Sequence, residues 1–580
     1  MRGGEFLLGE SAPDEVFTPE DFTDEHRAIA RATEEFWASE VAPQLEAIQH
    51  QDPGVAVSVL RKSAELGLTA VVVPEKYGGM EMDLVSAMIV AEGLSKDGSY
   101  CAWHGAHSGI GILPVLLYGT EEQKQRYLPK LASAGMIGAY CLTEPHAGSD
   151  ALAIRARAEL SEDCTHYILD GQKMWITNGG AADLYTVFAK VGGEKFTAFL
   201  VERAWPGVTP GAEEKKMGIK GSSTTPVFLD SVRVPVENVL GEIGRGHLIA
   251  FNILNLGRLK LGAFAAGAMK QVLAVSLRYA KERKAFGKAI AEFGLIRHKL
   301  AEMAIRAYAT ESMCYRVAGM ISARLSGWSW QQPDAAAVML KAVEEFAAEC
   351  SYVKVYASEA LDYAVDEGVQ IHGGSGYHQD YEVERAYRDS RINRIFEGTN
   401  EINRMLATGM LIKRAQRGQL PLVEAVKKVQ VELLSAPSLA GAPADGAALV
   451  AGAKKIALFV LGVAYQRYLA ELDQQQEILA AITDVAMNAF AMESALLRAA
   501  KLKAAGKGAL AQEMTAVLLC ESVEQIEIAA RAVLAGSSEG DALRTNLAIL
   551  RRFAKFEPVD GIAARRRIAA SLLEAGRYVV

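Results

Sequence analysis

The residues from Phe396 to Ile402, Phe-Glu-Gly-Thr-Asn-Glu-Ile, are the stretch of this chain best suited to chemistry. The apolar residues Ile392, Ile395 and Phe396 lead to one carboxylate, Glu397, at a glycine turn. A helix then starts at Thr399 or Asn400, both good N-cap types. A carboxylate with apolar neighbours at the mouth of a helix is a candidate general base, because desolvation raises its pKa. The same pattern suits an acidic residue that only complements the positive helix terminus. Locally, both readings stand.

Four other segments combine unusual residues at short spacing. They are Tyr140-Cys-Leu-Thr-Glu-Pro-His-Ala-Gly-Ser-Asp150, Met174-Trp-Ile-Thr-Asn-Gly-Gly180, Arg283-Lys-Ala-Phe-Gly287 and Gln370-Ile-His-Gly-Gly-Ser-Gly-Tyr377. Taken singly, each has a plain structural reading: turn chemistry at Thr143 and Ser149, a core aromatic at Trp175, a solvated helix residue at Arg283, a helix stop at Gly373-Gly374. A Rossmann G-x-G-x-x-G, a P-loop and an H-E-x-x-H are all missing, which argues against those three site types.

The elements that must position these residues fall into blocks. After an acidic, proline-broken extension (1–23), a helical pattern covers 24–137. A strand-and-turn texture follows over 138–246, with His166 to Trp175 read as strand, turn and strand, and Tyr185–Lys190, Phe196–Val201 and Val227–Val234 as further strands of an antiparallel β-barrel-like domain. Long helical segments return over 247–430, at Leu259–Glu282, Leu295–Leu325, Asp334–Ala364 and Asn400–Ala415, and suggest a four-helix bundle. Ser435–Asp445 reads as a Pro/Ala/Gly linker, and 446–580 as an additional helical domain. The expected fold is mainly α with a central β domain.

At 580 residues the chain is too long for one core. A net charge of −8 gives no case for nucleic acid. The six cysteines are scattered without metal spacing, which fits a reducing compartment. That compartment is the cytoplasm of a bacterium or the mitochondrial matrix of a eukaryote. The longest apolar run, Ile456 to Tyr465, is about half a membrane span.

Five motifs in this order, across an α, β, α layout, resemble the acyl-CoA dehydrogenase family, most closely its very-long-chain subgroup. The resemblance runs to about Arg414, and the linker with its extra helices extends it. It implies FAD as cofactor and desaturation of acyl-CoA to trans-2-enoyl-CoA in fatty acid β-oxidation. It further implies an electron-transfer flavoprotein as acceptor and a homodimer or a dimer of dimers.

By residue matching, Glu397 is the family's base. Some relatives carry the base on the bundle helix before an arginine; here that position is Gly257, before Arg258. The matching assigns Tyr140, Leu142, Thr143, Ser149, Trp175, Ile176 and Thr177 to the cofactor, along with Thr399, Asn400 and Glu401. Arg283, Phe286, Gln370, Gly373 and Gly374 would reach it from a neighbouring subunit. Phe293-Gly294 replaces the His-Gln of many members. Ser149, Asn255, Arg258, Phe396 and Gly398 are assigned to the substrate.

Small residues at Gly105, Ala106, Gly109 and Gly111 are expected to leave room for a long acyl tail, although they equally suit close helix packing. Arg551, Arg552, Lys555 and Arg565 to Arg567 form a basic cluster compatible with peripheral membrane contact, or with an exposed helix face. An acyl-CoA oxidase using dioxygen and an assembly-factor scaffold are the alternative readings of the same fold.

Overall fold

Thr23 opens the first helix: its hydroxyl accepts the His26 N–H at 3.2 Å, and acidic Asp24 and Glu25 occupy the first turn. The computed structural model describes residues 1–434 and 445–580. The N-terminal block holds α1 (Asp24–Phe36), α2 (Leu45–Gln49), α3 (Val55–Glu65), α4 (Leu84–Gly93), α5 (Gly98–Ala106), α6 (Leu113–Tyr118) and α7 (Glu121–Ala132). A π-helical turn, His107–Gly111, links α5 to α6.

The sheet has the order β6-β7-β3-β2-β4-β5-β8, with β1 beside β4. Its strands are β1 (Gly138–Cys141), β2 (Arg157–Leu160), β3 (His166–Thr177), β4 (Leu184–Val191), β5 (Lys195–Glu202), β6 (Val208–Pro210), β7 (Thr224–Pro235) and β8 (Val239–Leu240). The all-antiparallel expectation needs correction. Both β1 and β2 pair parallel to β4, while the other neighbours run antiparallel. Neither β1 nor β2 reaches β4 through a hairpin, and only a crossover connection allows parallel pairing.

The helix α8 (Gly246–Glu282) follows, 37 residues and about 55 Å long. A small hairpin of β9 (Lys284–Ala285) and β10 (Lys288–Ala289) turns the chain into α9 (Gly294–Arg324). The segment expected as one helix over Asp334–Ala364 is two, α10 (Ala335–Glu345) and α11 (Ala347–His372). Phe346 breaks it by leaving helical geometry to bury its ring completely. After α12 (Glu382–Ser390), α13 (Asn400–Gln416) closes a bundle with α8, α9 and α11. The linker expected at 435–445 lies outside the described residues except for Asp445, whose carboxylate caps the next helix.

The last helices are α14 (Leu422–Leu434), α15 (Gly446–Tyr468), α16 (Gln476–Ala504), α17 (Ala509–Ser537), α18 (Gly540–Phe553) and α19 (Gly561–Ala575). They share a continuous core with the bundle. Buried Arg316 of α9 pairs with Glu493 of α16 at 2.7 Å. The N-terminal extension straps the two together: Phe6 is buried against Tyr352 of the bundle and Phe490 of α16, and Glu20 pairs with Arg498 at 2.9 Å. Helix α8, the stretch Gly446–Gln474 and α16 are each long and apolar enough to cross a membrane by length and composition. Most of each apolar window (61–72%) is buried inside the protein, so that apolar surface is used in packing. In the basic C-terminal cluster, Arg565 and Arg567 are held in ion pairs with Glu302, Glu521 and Glu513.

Candidate active site

Glu397 sits in a turn that its neighbours force. Its φ is +60° and that of Gly398 is +79°, two consecutive left-handed residues of which only the second is a glycine. Such backbone at a non-glycine residue costs of order 1–3 kcal/mol and persists only where the surroundings over-determine it. Here Arg258 Nε donates to the Glu397 carbonyl at 3.1 Å, and Lys354 Nζ and Asn403 Nδ2 both donate to the Gly398 carbonyl at 2.8 Å. Beyond the turn, Thr399 caps α13 by accepting the Ile402 N–H at 3.2 Å.

The carboxyl this turn presents lies against α8 at a glycine. A Cβ at Gly257 would fall 2.7 Å from Glu397 Oε2, so the missing side chain at 257 is the space the carboxylate occupies. The alternative base position and the actual carboxylate thus converge on one point. Among the described residues Oε2 has no hydrogen-bond partner. Burial pushes the Glu397 pKa up to about 7 against the opposing charges of Arg258, Lys354 and Lys260. A carboxyl group with that pKa can exchange a proton near neutral pH.

The carboxylate faces a cavity of about 1620 Å³ of empty space, mouth included. Phe396, Thr177 and Leu256 line it near Glu397; Met88, Phe264 and Val275 line it farther along. Of the small residues expected to leave room here, Gly105, Ala106 and Gly109 line the cavity and Gly111 does not. A Cβ at Gly105 would strike the Phe264 ring at 2.7 Å, and one at Gly111 the Gly138 carbonyl oxygen at 2.9 Å. Close packing is what Gly111 requires, so the expectation of open space is corrected there, while Gly105 borders the cavity beside the end of the Phe264 ring.

On the β-domain side, Leu142, Thr143, Trp175, Ile176 and Thr177 lie together. The Thr143 carbonyl accepts the Met174 N–H at 2.9 Å, and beneath it fully buried Lys173 pairs with Glu144 at 2.7 Å. Glu144 also accepts the N–H groups of Arg155 and Ala156. This buried pair was not among the expected site residues, although Glu144 stands inside the first β-domain motif and Lys173 directly precedes the second. Register shifts between β3 and β7 across Lys173 and Ile176 coincide with a φ of +55° at Trp175, which turns the indole outward. Trp175 is 61% exposed while Ile176 is buried and Thr177 faces the cavity. Ser149 is exposed on the loop between β1 and β2. Buried Tyr140 reaches the Ala250 carbonyl of α8 at 3.3 Å and so ties the β domain to the bundle.

Several expected contacts have other partners. Asn255 and Arg258 are buried; the Asn255 Oδ1 accepts from Arg258 at 2.9 Å, and Arg258 in turn donates to the Glu397 carbonyl and holds the turn. The Asn400 side chain is engaged by Ser358, Glu359 and Lys354 inside the bundle. Glu401 lies exposed in the first turn of α13. Arg283, Phe286, Gln370, Gly373 and Gly374 are exposed, Phe286 at 96%. From Gly257 to Glu282 the helix α8 runs about 38 Å, so within one chain Arg283 lies far from Glu397.

Comparison with known proteins follows this layout. Residues 23–135 match the family described as acyl-CoA dehydrogenase, N-terminal domain, and residues 139–232 match its middle domain. Residues 244–411 and 452–552 match two families, each described as acyl-CoA dehydrogenase, C-terminal domain. A probable acyl-CoA dehydrogenase of Bacillus subtilis (strain 168) is 47% identical over 588 residues, spanning 100% of this chain and 99% of the relative. The mitochondrial very long-chain specific acyl-CoA dehydrogenase of Rattus norvegicus is 44% identical over 361 residues, 60% of this chain and 52% of that protein. The crystal structure of acyl-CoA dehydrogenase complexed with FAD from Bacillus anthracis aligns with a TM-score of 0.98 at 47% identity, covering 100% of both chains. Butyryl-CoA dehydrogenase from Megasphaera elsdenii aligns over 68% of this chain and 99% of its own, with a TM-score of 0.61 at 34% identity. A carboxylate seated on a helix glycine, an α, β, α frame around it and a full-length relative agree: this chain belongs to the acyl-CoA dehydrogenase family.

Proposed function

We propose that the protein is an FAD-dependent dehydrogenase of long-chain acyl-CoA that passes its electrons to an electron-transfer flavoprotein in fatty acid β-oxidation. The observation that carries this reading is the Glu397 carboxylate, buried on Gly257 at the wall of an apolar cavity with one oxygen unpartnered. The residues present fit FAD. A large indole turned out by strained backbone, next to a threonine at the cavity, is a flat apolar face that a ring system covers. Leu142, Thr143, Ser149, Trp175, Ile176 and Thr177 would hold the cofactor from one protomer. Arg283, Phe286, Gln370, Gly373 and Gly374 would hold it from a second copy, which is the support for a homodimer. FAD, when bound, supplies the hydride acceptor that no side chain provides.

The chain's own residues do the rest. Glu397, once ionised, takes the proton from the carbon next to the thioester carbonyl. Its pKa near 7 brings it closer to that weak acid than an exposed carboxylate stands. The Glu397 N–H makes no other bond among the described residues and would donate to the thioester oxygen as negative charge develops there. Arg258, Lys354 and Asn403 fix the backbone that carries that N–H and the carboxylate.

Two facts support the long-chain preference. The cavity-lining residues of α8 continue from Gly257 to Val275, about 27 Å along the helix. The rat relative named above is described as very long-chain specific. We place the enzyme in the cytoplasm, in line with six free cysteines that lie apart from any cation-binding cluster among the described residues.

The test is Glu397→Gln. The variant should retain bound yellow flavin yet fail to bleach it when palmitoyl-CoA is added anaerobically. Bleaching at the parental rate would remove Glu397 as the base. Peroxide release matching enoyl formation would favour an oxidase over transfer to the flavoprotein.

A further inference from the structure

One cation in the acyl cavity has a part in this mechanism only through its charge on Glu397, which leaves its hydrogen-bond donors unassigned. Lys260 stands one helical turn beyond Gly257 on α8, between Leu259 and Leu261, and its side chain lines the cavity. Its ammonium donates to Ser108 Oγ at 2.8 Å. The Ser108 hydroxyl proton is already committed to the His104 carbonyl at 2.7 Å, so Ser108 can only accept from Lys260. An ammonium has three donors, and no carboxylate is in ion-pair distance of this one among the described residues. Two N–H groups therefore remain over a wall otherwise made of Ile253, Leu256, Leu261 and Phe264.

The surroundings are built to admit this ammonium. Gly109 lies beside the lysine head, where even a Cβ would sit in ordinary contact, 3.6 Å from Lys260 Nζ. Gly109 and Ser108 both belong to the π-helical turn His107–Gly111, which α8 packs against; π turns recur at functional sites. Leucine or methionine at 260 would line the same wall without unmet donors, so the lysine is not explained by packing. Burial lowers its pKa to about 8, which leaves it mostly charged near neutrality.

We propose that Lys260, seated on Ser108, is a binding point for an oxygen acceptor on the acyl chain, so that the enzyme takes acyl-CoA thioesters bearing a hydroxyl, oxo or carboxylate group beyond the β-carbon. This inference rests on the dehydrogenase reading above. Because Lys260 is one turn from the glycine that touches Glu397, the oxygen it meets lies a few carbons past the reacting pair and not at the end of a long tail.

The test compares palmitoyl-CoA, a set of monohydroxypalmitoyl-CoA positional isomers and suberoyl-CoA on the FAD-loaded enzyme and on Lys260→Met. The expected result is that the ratio of oxygenated to plain kcat/KM falls at least tenfold in Lys260→Met for one position or end group. Plain-chain kcat/KM should rise, since the wall becomes uniformly apolar. Ser108→Ala, a smaller change, should lower the same ratio less. Titration calorimetry of the same thioesters on Glu397→Gln, with and without Lys260→Met, reads the affinity difference without turnover. Loss confined to the carboxylate arm identifies an anion as the ligand, and loss confined to a hydroxyl arm a neutral acceptor. A ratio constant within twofold for every position and end group, in rate and in calorimetry, would overturn the proposal. A parent that does not turn over palmitoyl-CoA at all would instead defeat the dehydrogenase reading.

Discussion

Adding one methyl group at Gly257 tests the geometry of the base directly. The Cβ of Gly257→Ala would lie 2.7 Å from Glu397 Oε2, 2.9 Å from Cδ and 3.0 Å from Oε1. Ordinary contact begins at 3.4 Å, so the carboxylate must retreat by about 0.7 Å, the difference between 3.4 and 2.7 Å. Because its backbone is held by Arg258, Lys354 and Asn403, the retreat falls on the side-chain torsions and swings the carboxylate out of its place at the cavity wall. A misplacement of about 1 Å at a reacting group costs on the order of 10²-fold in rate. The expected loss is therefore about 10- to 100-fold, or ~1.4–2.8 kcal/mol of barrier. Stability should hold, because alanine in a helix interior is favoured over glycine by roughly 0.8–1 kcal/mol, which offsets part of the strain. Anaerobic stopped-flow reduction of the flavin by palmitoyl-CoA measures the rate, and a thermal melt controls for folding. A parental reduction rate in a variant with unchanged Tm would refute the contact between Gly257 and the reacting carboxylate.

Flavin reduction in the parent should rise with pH through about 7, because Glu397 must be ionised to accept a proton; a flat profile between pH 6 and 8.5 contradicts this. The same shift makes Glu397 a stability liability. Its folded pKa of about 7 stands above the ordinary 4.5, so the fold loses stability as pH rises from about 4.5 to 7. Taking 2.5 as the difference, the loss reaches at most about 3.4 kcal/mol above pH 7. Glu397→Gln should consequently melt higher than the parent at pH 8 and equally at pH 4, and equal melting at both would count against a buried acid. Lys173→Met leaves Glu144 buried without its partner, which should cost about 3–5 kcal/mol and weaken FAD retention; an unchanged melt and unchanged flavin content would show the pair to be dispensable.

Much of the frame was legible from periodicity. The block order of helices, strands and helices follows from apolar spacing, and the start of α13 followed from Thr399 as a capping residue. Sequence reasoning failed where a distant contact decides. The break at Phe346 has no local signal, since the residues on both sides favour helix, and the ring's burial determines it. Parallel pairing of β1 and β2 with β4 depends on which edge each strand docks against, and alternation within a strand does not encode that. Among the small residues read as room for a tail, Gly105 and Gly109 line the cavity while Gly111 packs on the Gly138 backbone, a difference that local residue type does not encode.

The sequence by itself determined the family, the layer order and the one carboxylate worth naming, because these rest on local residue types at fixed spacing. Tertiary structure alone decided what suits Glu397 to the proposed role of base. A helix 140 residues earlier in the chain presents Gly257 to its carboxylate, three side chains from different helices lock its turn, and burial raises its pKa. Tertiary structure also decided that Lys260, one charge in an apolar helical run, faces the cavity and not solvent. Desolvation and contact are properties of three-dimensional neighbourhood, and no stretch of sequence contains them.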